Sequence, residues 1–119
     1  MIIKMYGKKW DLKVGGYAQN PMAIAILLER EAEEEMDVLT VNLRDAFVEP
    51  FTGFIDINNH PEAPELIEKA GIGKPYTKFG QPVFMQSGYC KFPLYQFDRE
   101  KLEEIDSDGV KIYLKGIME

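Results

Sequence analysis

Two clusters of chemically capable residues, and one glycine-rich stretch, stand out in the sequence. Asp56-Ile57-Asn58-Asn59-His60 offers carboxylate, amide and imidazole groups at close spacing. The spacing begins like a calcium loop, which requires Asp or Asn at its fifth position, Gly at its sixth and Glu at its twelfth. Those positions hold His60, Pro61 and Ile67, so the pattern fails. The better reading is a polar turn, in which Asn58 and Asn59 bond local backbone groups ahead of a helix. A small enzyme or ligand-binding domain, the alternative, would rest on Asp56, Asn58, Asn59 and His60. Cys90 with His60 and Asp56 supplies the types needed for a thiol nucleophile, its base and an orienting carboxylate. No family signature surrounds that Cys, however, and on an alternating strand Cys90 shares a face with Phe92 and Leu94, as a small apolar filler would. Gly71-Ile72-Gly73-Lys74 resembles part of a phosphate loop, but such loops open a helix, whereas these glycines follow one. No catalytic residue, cofactor or metal ligand is therefore assigned.

Charge is concentrated. Twelve of the 20 acidic residues fall in two segments, Glu29–Asp37 and Asp98–Asp108. Charge runs are usually solvated faces. The functional alternative is an anionic patch for a basic protein partner, built from Glu29, Glu31, Glu33, Glu34, Glu35 and Asp37. A second alternative is nucleic-acid binding through Lys4, Lys8, Lys9 and Lys13 together with the aromatics Phe79, Phe84, Tyr89, Phe92, Tyr95 and Phe97. Aromatics on strands most often pack, and the net charge of −6 disfavours a polyanionic ligand.

The 119 residues are expected to form one domain, 1–119. A single cysteine excludes an intrachain disulfide framework, and the longest apolar run, Met22 to Leu28, is far short of a membrane span. With no signal-peptide pattern, a cytoplasmic location is expected.

The elements that must position these groups follow from periodicity. Ile2–Tyr6 and Lys8–Val14 read as strands around Gly7, with Gly15-Gly16 as a break. Met22–Glu29, apolar on all sides, reads as a buried strand paired with Val38–Leu43 across an acidic tip. Arg44–Gly53 reads as loop and Phe54–Ile57 as a short strand. A helix near Glu62–Ala70 has Leu66, Ile67 and Ala70 as its stripe and Gly71 as its stop. Ile72–Gln81 reads as loop. Pro82–Met85 and Tyr89–Phe97 read as strands, with Pro93 needing an edge or bulge. Asp98 caps a helix over Arg99–Ile105, and Val110–Leu114 reads as a last strand. The expected class is α+β: a mainly antiparallel twisted sheet or partly open barrel carrying two short helices.

Leu39-Thr40-Val41-Asn42-Leu43, Phe54-Ile55-Asp56-Ile57-Asn58-Asn59 and the stretch Ser87 to Phe97 together resemble a family of small uncharacterised bacterial domains carried on phages, plasmids and conjugative elements. The resemblance covers roughly Tyr6 to Leu102, with Val110–Leu114 beyond the family's usual end and a longer, more acidic segment at Glu29–Asp37. It implies no catalytic residue. It implies an accessory protein of a mobile element, acting by binding, with inhibition of a host defence such as a CRISPR nuclease as one expected form.

Overall fold

β1 (Ile2–Met5) and β2 (Lys8–Tyr17) form an antiparallel hairpin, and β3 (Asn20–Arg30) pairs antiparallel with β2 along most of its length. The structure, a computed structural model, describes residues 1–43 and 48–118. A 3₁₀ turn, Glu31–Glu33, leads from β3 into β4 (Glu35–Val38), which pairs back on Leu27–Arg30. β5 (Thr40–Val41) lies instead against β6 (Thr52–Ile55). After α1 (Ala63–Lys69) come β7 (Gly73–Pro75), the small ribbon of β8 (Thr77–Lys78) and β9 (Gln81–Pro82), and the hairpin of β10 (Phe84–Ser87) and β11 (Cys90–Phe97). α2 (Arg99–Ile105) and α3 (Ser107–Met118) close the chain. The main sheet runs β1-β2-β3-β6-β11-β10, with β4, β5 and β7 attached to its inner strands.

The α+β class stands, with two corrections. The sheet is a curled, mixed one, because β3 meets β6 in parallel at Ala23 and Thr52. The described residues also hold three α-helices rather than two. The third replaces the strand expected at Val110–Leu114. Val110 and Tyr113 are buried, Leu114 and Ile117 pack against the same core, and Ile112 is exposed, which is a helical stripe rather than an alternation. Asp106 starts this helix: its Oδ1 accepts from Gly109 N–H (3.1 Å) while its Oδ2 accepts from Val14 N–H (3.0 Å). Gly109 lies so close to Val14 O and to Asp106 that a Cβ would collide with both.

The main core lies between the sheet and the helices. It takes Trp10, Leu12 and Val14 from β2, Ile24, Ile26 and Leu28 from β3, and Ile67, Leu102, Val110 and Tyr113 from the helices. A smaller cluster of Ala23, Val48, Phe54, Phe92 and Leu94 forms a second core. β3 contributes to both, which explains the unbroken apolar run from Met22 and why an amphipathic pattern is missing there. The pairing of this strand across the acidic tip is as expected, but with Glu35–Val38 rather than Val38–Leu43. The alternation of Leu39, Val41 and Leu43 breaks because Leu39 enters the main core while Val41 and Leu43 pack on the second.

Other boundaries shift. Gly15-Gly16 does not end β2; it continues opposite Ala25 and Ile24 to an irregularity at Tyr17. β6 starts at Thr52, so Asp56 and Ile57 fall after the strand. The part of the expected Arg44–Gly53 loop at positions 44–47 lies outside the described residues. The expected loop Ile72–Gln81 contains β7 and β8, since Gly73–Pro75 finds backbone partners on Phe97–Tyr95. α1 ends as expected. Ile72 N–H donates to Ile67 O and Gly71 N–H to Glu68 O, with Gly71 at φ +72°, a left-handed residue that closes the helix. Its fully buried stripe is Ala63 and Ile67, with Leu66 and Ala70 only partly covered. Pro93 precedes the part of β11 that is paired on both sides, Leu94–Gln96, consistent with the edge position its missing N–H demands. Asp98 caps α2, accepting from Lys101 N–H at 3.1 Å.

Candidate functional site

The polar turn after β6 is built by Asp56. Its backbone O accepts from His60 N–H (2.8 Å), and its carboxylate accepts from Asn59 N–H (3.3 Å) and Asn59 Nδ2 (2.8 Å). The expected backbone bonds from the Asn58 and Asn59 side chains are replaced by this pattern: the Asp56 carboxylate takes the backbone N–H of Asn59, and the Asn59 side chain bonds that same carboxylate. The turn carries His60 inward, where it is only 5% exposed. Its Nε2 lies 3.0 Å from Asp37 Oδ1 on β4, and its Nδ1 lies 2.6 Å from the Tyr6 hydroxyl in the β1–β2 turn. A carboxylate can only accept, so in the neutral ring Nε2 carries the proton and Nδ1 receives the hydroxyl's. Tyr6 also reaches Asn59 O at 3.2 Å.

An Asp–His–Tyr chain has the order of a nucleophile, base and orienting carboxylate. Its electrostatics run the other way. An adjacent base can activate a nucleophile without lowering its pKa, but a resting phenolate is disfavoured here, because the Tyr6 phenol is pushed up to about 12 by desolvation of its hydroxyl and by the neighbouring Glu62 carboxylate. Tyr6 is therefore a firmly protonated donor, and His60 is a buried connector with both nitrogens occupied. The chain ties three separate parts of the sheet's rim together. Tyr6 sits at φ +55°, an unfavourable backbone region for a side chain of this size, and these bonds offset that strain. Sequence reasoning found His60 and Asp37 but assigned them to different sites, and it missed Tyr6. The only local signal was Tyr6-Gly7 as a two-residue hairpin turn with both residues at positive φ.

Cys90 opens β11 and packs on the second core with Phe92 and Leu94, the shared face expected for it, while His60 is engaged elsewhere. Among the described residues no group of three or more His, Cys, Asp and Glu side chains is placed to hold a metal ion. Within the same residues no helix is long and apolar enough to cross a membrane.

The acidic segment is partly spoken for by the fold. Glu35 bonds Lys8 (3.0 Å) and Arg30, Arg30 also meets Glu33 (3.6 Å) and lies over the Trp10 ring, and Asp37 holds His60. The Lys8 hydrogen bond, with Arg30 adding to it, lowers the Glu35 pKa. Glu31 and Glu34 remain exposed on the tip.

The family model for a domain of unknown function, DUF4313, matches residues 11–117. The chain belongs to the DUF4313 family. The match runs through nearly all of α3, so the residues after Leu102 lie within the family rather than beyond its end. The core explains why: without Val110 and Tyr113 it stays open on one side. No curated protein and no solved structure matches the chain.

The aromatic stretch divides in two. Phe92, Tyr95 and Phe97 are buried, as packing residues should be. Phe79, Phe84 and Tyr89 are not: Phe79 is 95% exposed, Phe84 is 48% exposed and Tyr89 is wholly exposed. Phe79 shares its two-residue turn with Gly80, and Tyr89 follows Gly88 at the tip of the β10–β11 hairpin. The expectation that these aromatics pack is corrected for these three: turn geometry aims Phe79 and Tyr89 away from both cores, and Phe84, on strand β10, is half exposed. Sheet order also separates them from Lys4, Lys8, Lys9 and Lys13, which lie on β1 and β2 at the opposite end.

Proposed function

We propose that this domain is a non-catalytic protein-binding module. The observation that carries the reading is the exposure of Phe79, Phe84 and Tyr89 along β8–β11, since Phe79 and Tyr89 cover no core among the described residues. Large apolar side chains left on a surface are a mark of an interaction site. The nearest approach to catalytic machinery, Asp37–His60–Tyr6, supports the same reading, because its phenol is made harder to ionise. Glu31 and Glu34 offer a second, anionic contact that would steer a basic partner. The resemblance to mobile-element accessory proteins gives the proposal its sharpest form, inhibition of a host defence nuclease in the cytoplasm.

Affinity purification from a native-host lysate tests the reading. The tagged domain should retain a stoichiometric protein, and the Cys90→Ser variant should retain it equally. Recovery of no stoichiometric protein, across a range of salt concentrations, would refute it.

A further inference from the structure

The ribbon β8–β9 and the hairpin β10–β11 share a base, and that base is a groove of about 470 Å³. Five of the chain's seven prolines line it, Pro61, Pro64, Pro75, Pro82 and Pro93, and the exposed Phe84 lines it with them. Proline has little conformational freedom to lose, so such a groove is preformed and costs little to fill. Its size and apolar walls are those of a ligand-binding cleft.

Charge is uneven along the chain. From Ile72 to Phe97 there are three lysines, Lys74, Lys78 and Lys91, and no carboxylate. Taking those three from the chain's 14 basic and 20 acidic residues leaves 11 against 20 elsewhere. Lys91 Nζ sits over the Phe84 ring, 5.6 Å from its centre, so a cation stands beside an exposed aromatic that lines the groove. Carboxylates of other segments reach the same part of the molecule: Glu49 accepts from the Tyr76 hydroxyl at 3.0 Å, and Glu68 of α1, which also carries Glu65, accepts from Tyr95 at 2.9 Å. The groove is therefore apolar along its lining, with Lys91 as the cation beside Phe84.

Phe79 is a further exposed aromatic. Its backbone sits at φ +54°, which costs a non-glycine residue on the order of 1 kcal/mol. Tyr6 bears the same strain but is bonded to His60, and Phe51 bears it while packed edge-on against Tyr113. Phe79, whose positive φ is what its two-residue turn with Gly80 requires, has no such side-chain partner among the described residues and stands 95% exposed.

We propose that this groove binds an acidic, apolar segment of a partner protein, its aliphatic or aromatic side chains on the proline floor and its carboxylates at Lys91. The inference rests on the protein-binding reading above and deepens it. Phe79 and Tyr89 clasp the segment from the two hairpin tips. The carboxylates lie at Lys91 rather than at α1, where Glu65 and Glu68 would repel them.

Panning the intact domain against a phage-displayed library of random linear peptides tests this. Enriched sequences should pair apolar residues with Asp or Glu at one end. A synthetic peptide of that kind, followed by fluorescence polarisation, should lose about tenfold in affinity with Phe84→Ser, equivalent to about 1.4 kcal/mol. It should lose a similar amount with Lys91→Glu, and its affinity should fall as salt rises. Phe79→Ser, at a position that supports no core, guards against a folding artefact and should weaken binding as well. No enrichment, enrichment without acidic residues, or undiminished binding by Phe84→Ser and Phe79→Ser would overturn the proposal. So would Phe84-dependent binding of oligo-dT, which would make the surface a nucleic-acid site. If the peptides fail while the lysate partner is still retained, this inference falls and the protein-binding reading stands.

Discussion

Replacing His60 with Ala should destabilise the domain, because the buried His60 ring connects Asp37 and Tyr6, and on the proposed reading partner binding should survive. The ring is 5% exposed and holds Asp37 at 3.0 Å and Tyr6 at 2.6 Å. Each lost hydrogen bond costs about 1 kcal/mol, and the vacated space adds on the order of 1 kcal/mol more. The two abandoned partners limit the damage, since Asp37 is 41% and Tyr6 54% exposed and both regain water. The expected loss is about 2–4 kcal/mol, a fall of roughly 10 °C in Tm for a chain of this size. Urea denaturation followed by circular dichroism measures it, with an unchanged slope showing that only the native state is affected. An Asp37→Asn/His60→Gln double-mutant cycle should give a coupling of about 1 kcal/mol. A His60→Ala variant within about 0.5 kcal/mol of wild type, the scale of an ordinary surface substitution, would refute the connector role.

Three further outcomes are expected. Gly109→Ala should cost about 1–3 kcal/mol and speed hydrogen exchange in α3, because its Cβ would meet Val14 O and Asp106; unaltered protection of α3 would contradict this. The Glu35 pKa is lowered chiefly by Lys8, so its share of stability is complete above its unfolded value near pH 4.5 and is lost as pH falls through the lower folded value. Carboxyl NMR should show Glu35 titrating below the ordinary glutamate value, and Glu35→Gln should flatten that part of the acid profile; titration at the ordinary value would contradict it. In alkali the sign reverses. Tyr6 is raised to about 12 by desolvation and Glu62, and Tyr95 is raised by desolvation and Glu68, so stability is intact below pH 10 and declines between about 10 and 12. Absorbance titration of the native protein should show tyrosines ionising later than in urea, and a single step near pH 10 would contradict it.

Elements whose signals are local could be read directly. α2 has its cap at Asp98, α1 has its stop at Gly71, and β3 has an apolar run too uniform for a surface helix. α3 was hidden because Val110, Ile112 and Leu114 alternate over five residues. The decisive stripe needs Tyr113 and Ile117 as well, and its cap, Asp106, is shared with Val14, 92 residues away in sequence. The same distance problem hid the site. Asp37 and His60 are 23 residues apart, and Tyr6 is 54 from His60, so only the register of the folded sheet joins them. The exposed aromatics were misread for a different reason: composition places Phe and Tyr in cores, and only turn geometry shows that Phe79 and Tyr89 point outward.

On the proposed reading the domain holds a protein through its β8–β11 end. Site-specific photo-crosslinking in native-host cells tests this, with a benzophenone side chain placed in turn at Phe79, Phe84, Glu31 and the exposed control Ile112. One discrete protein adduct is expected from Phe79 and Phe84, shared or weaker at Glu31 and missing at Ile112. Adducts that form equally at Ile112, or none at Phe79 and Phe84 in a folded protein, would contradict it.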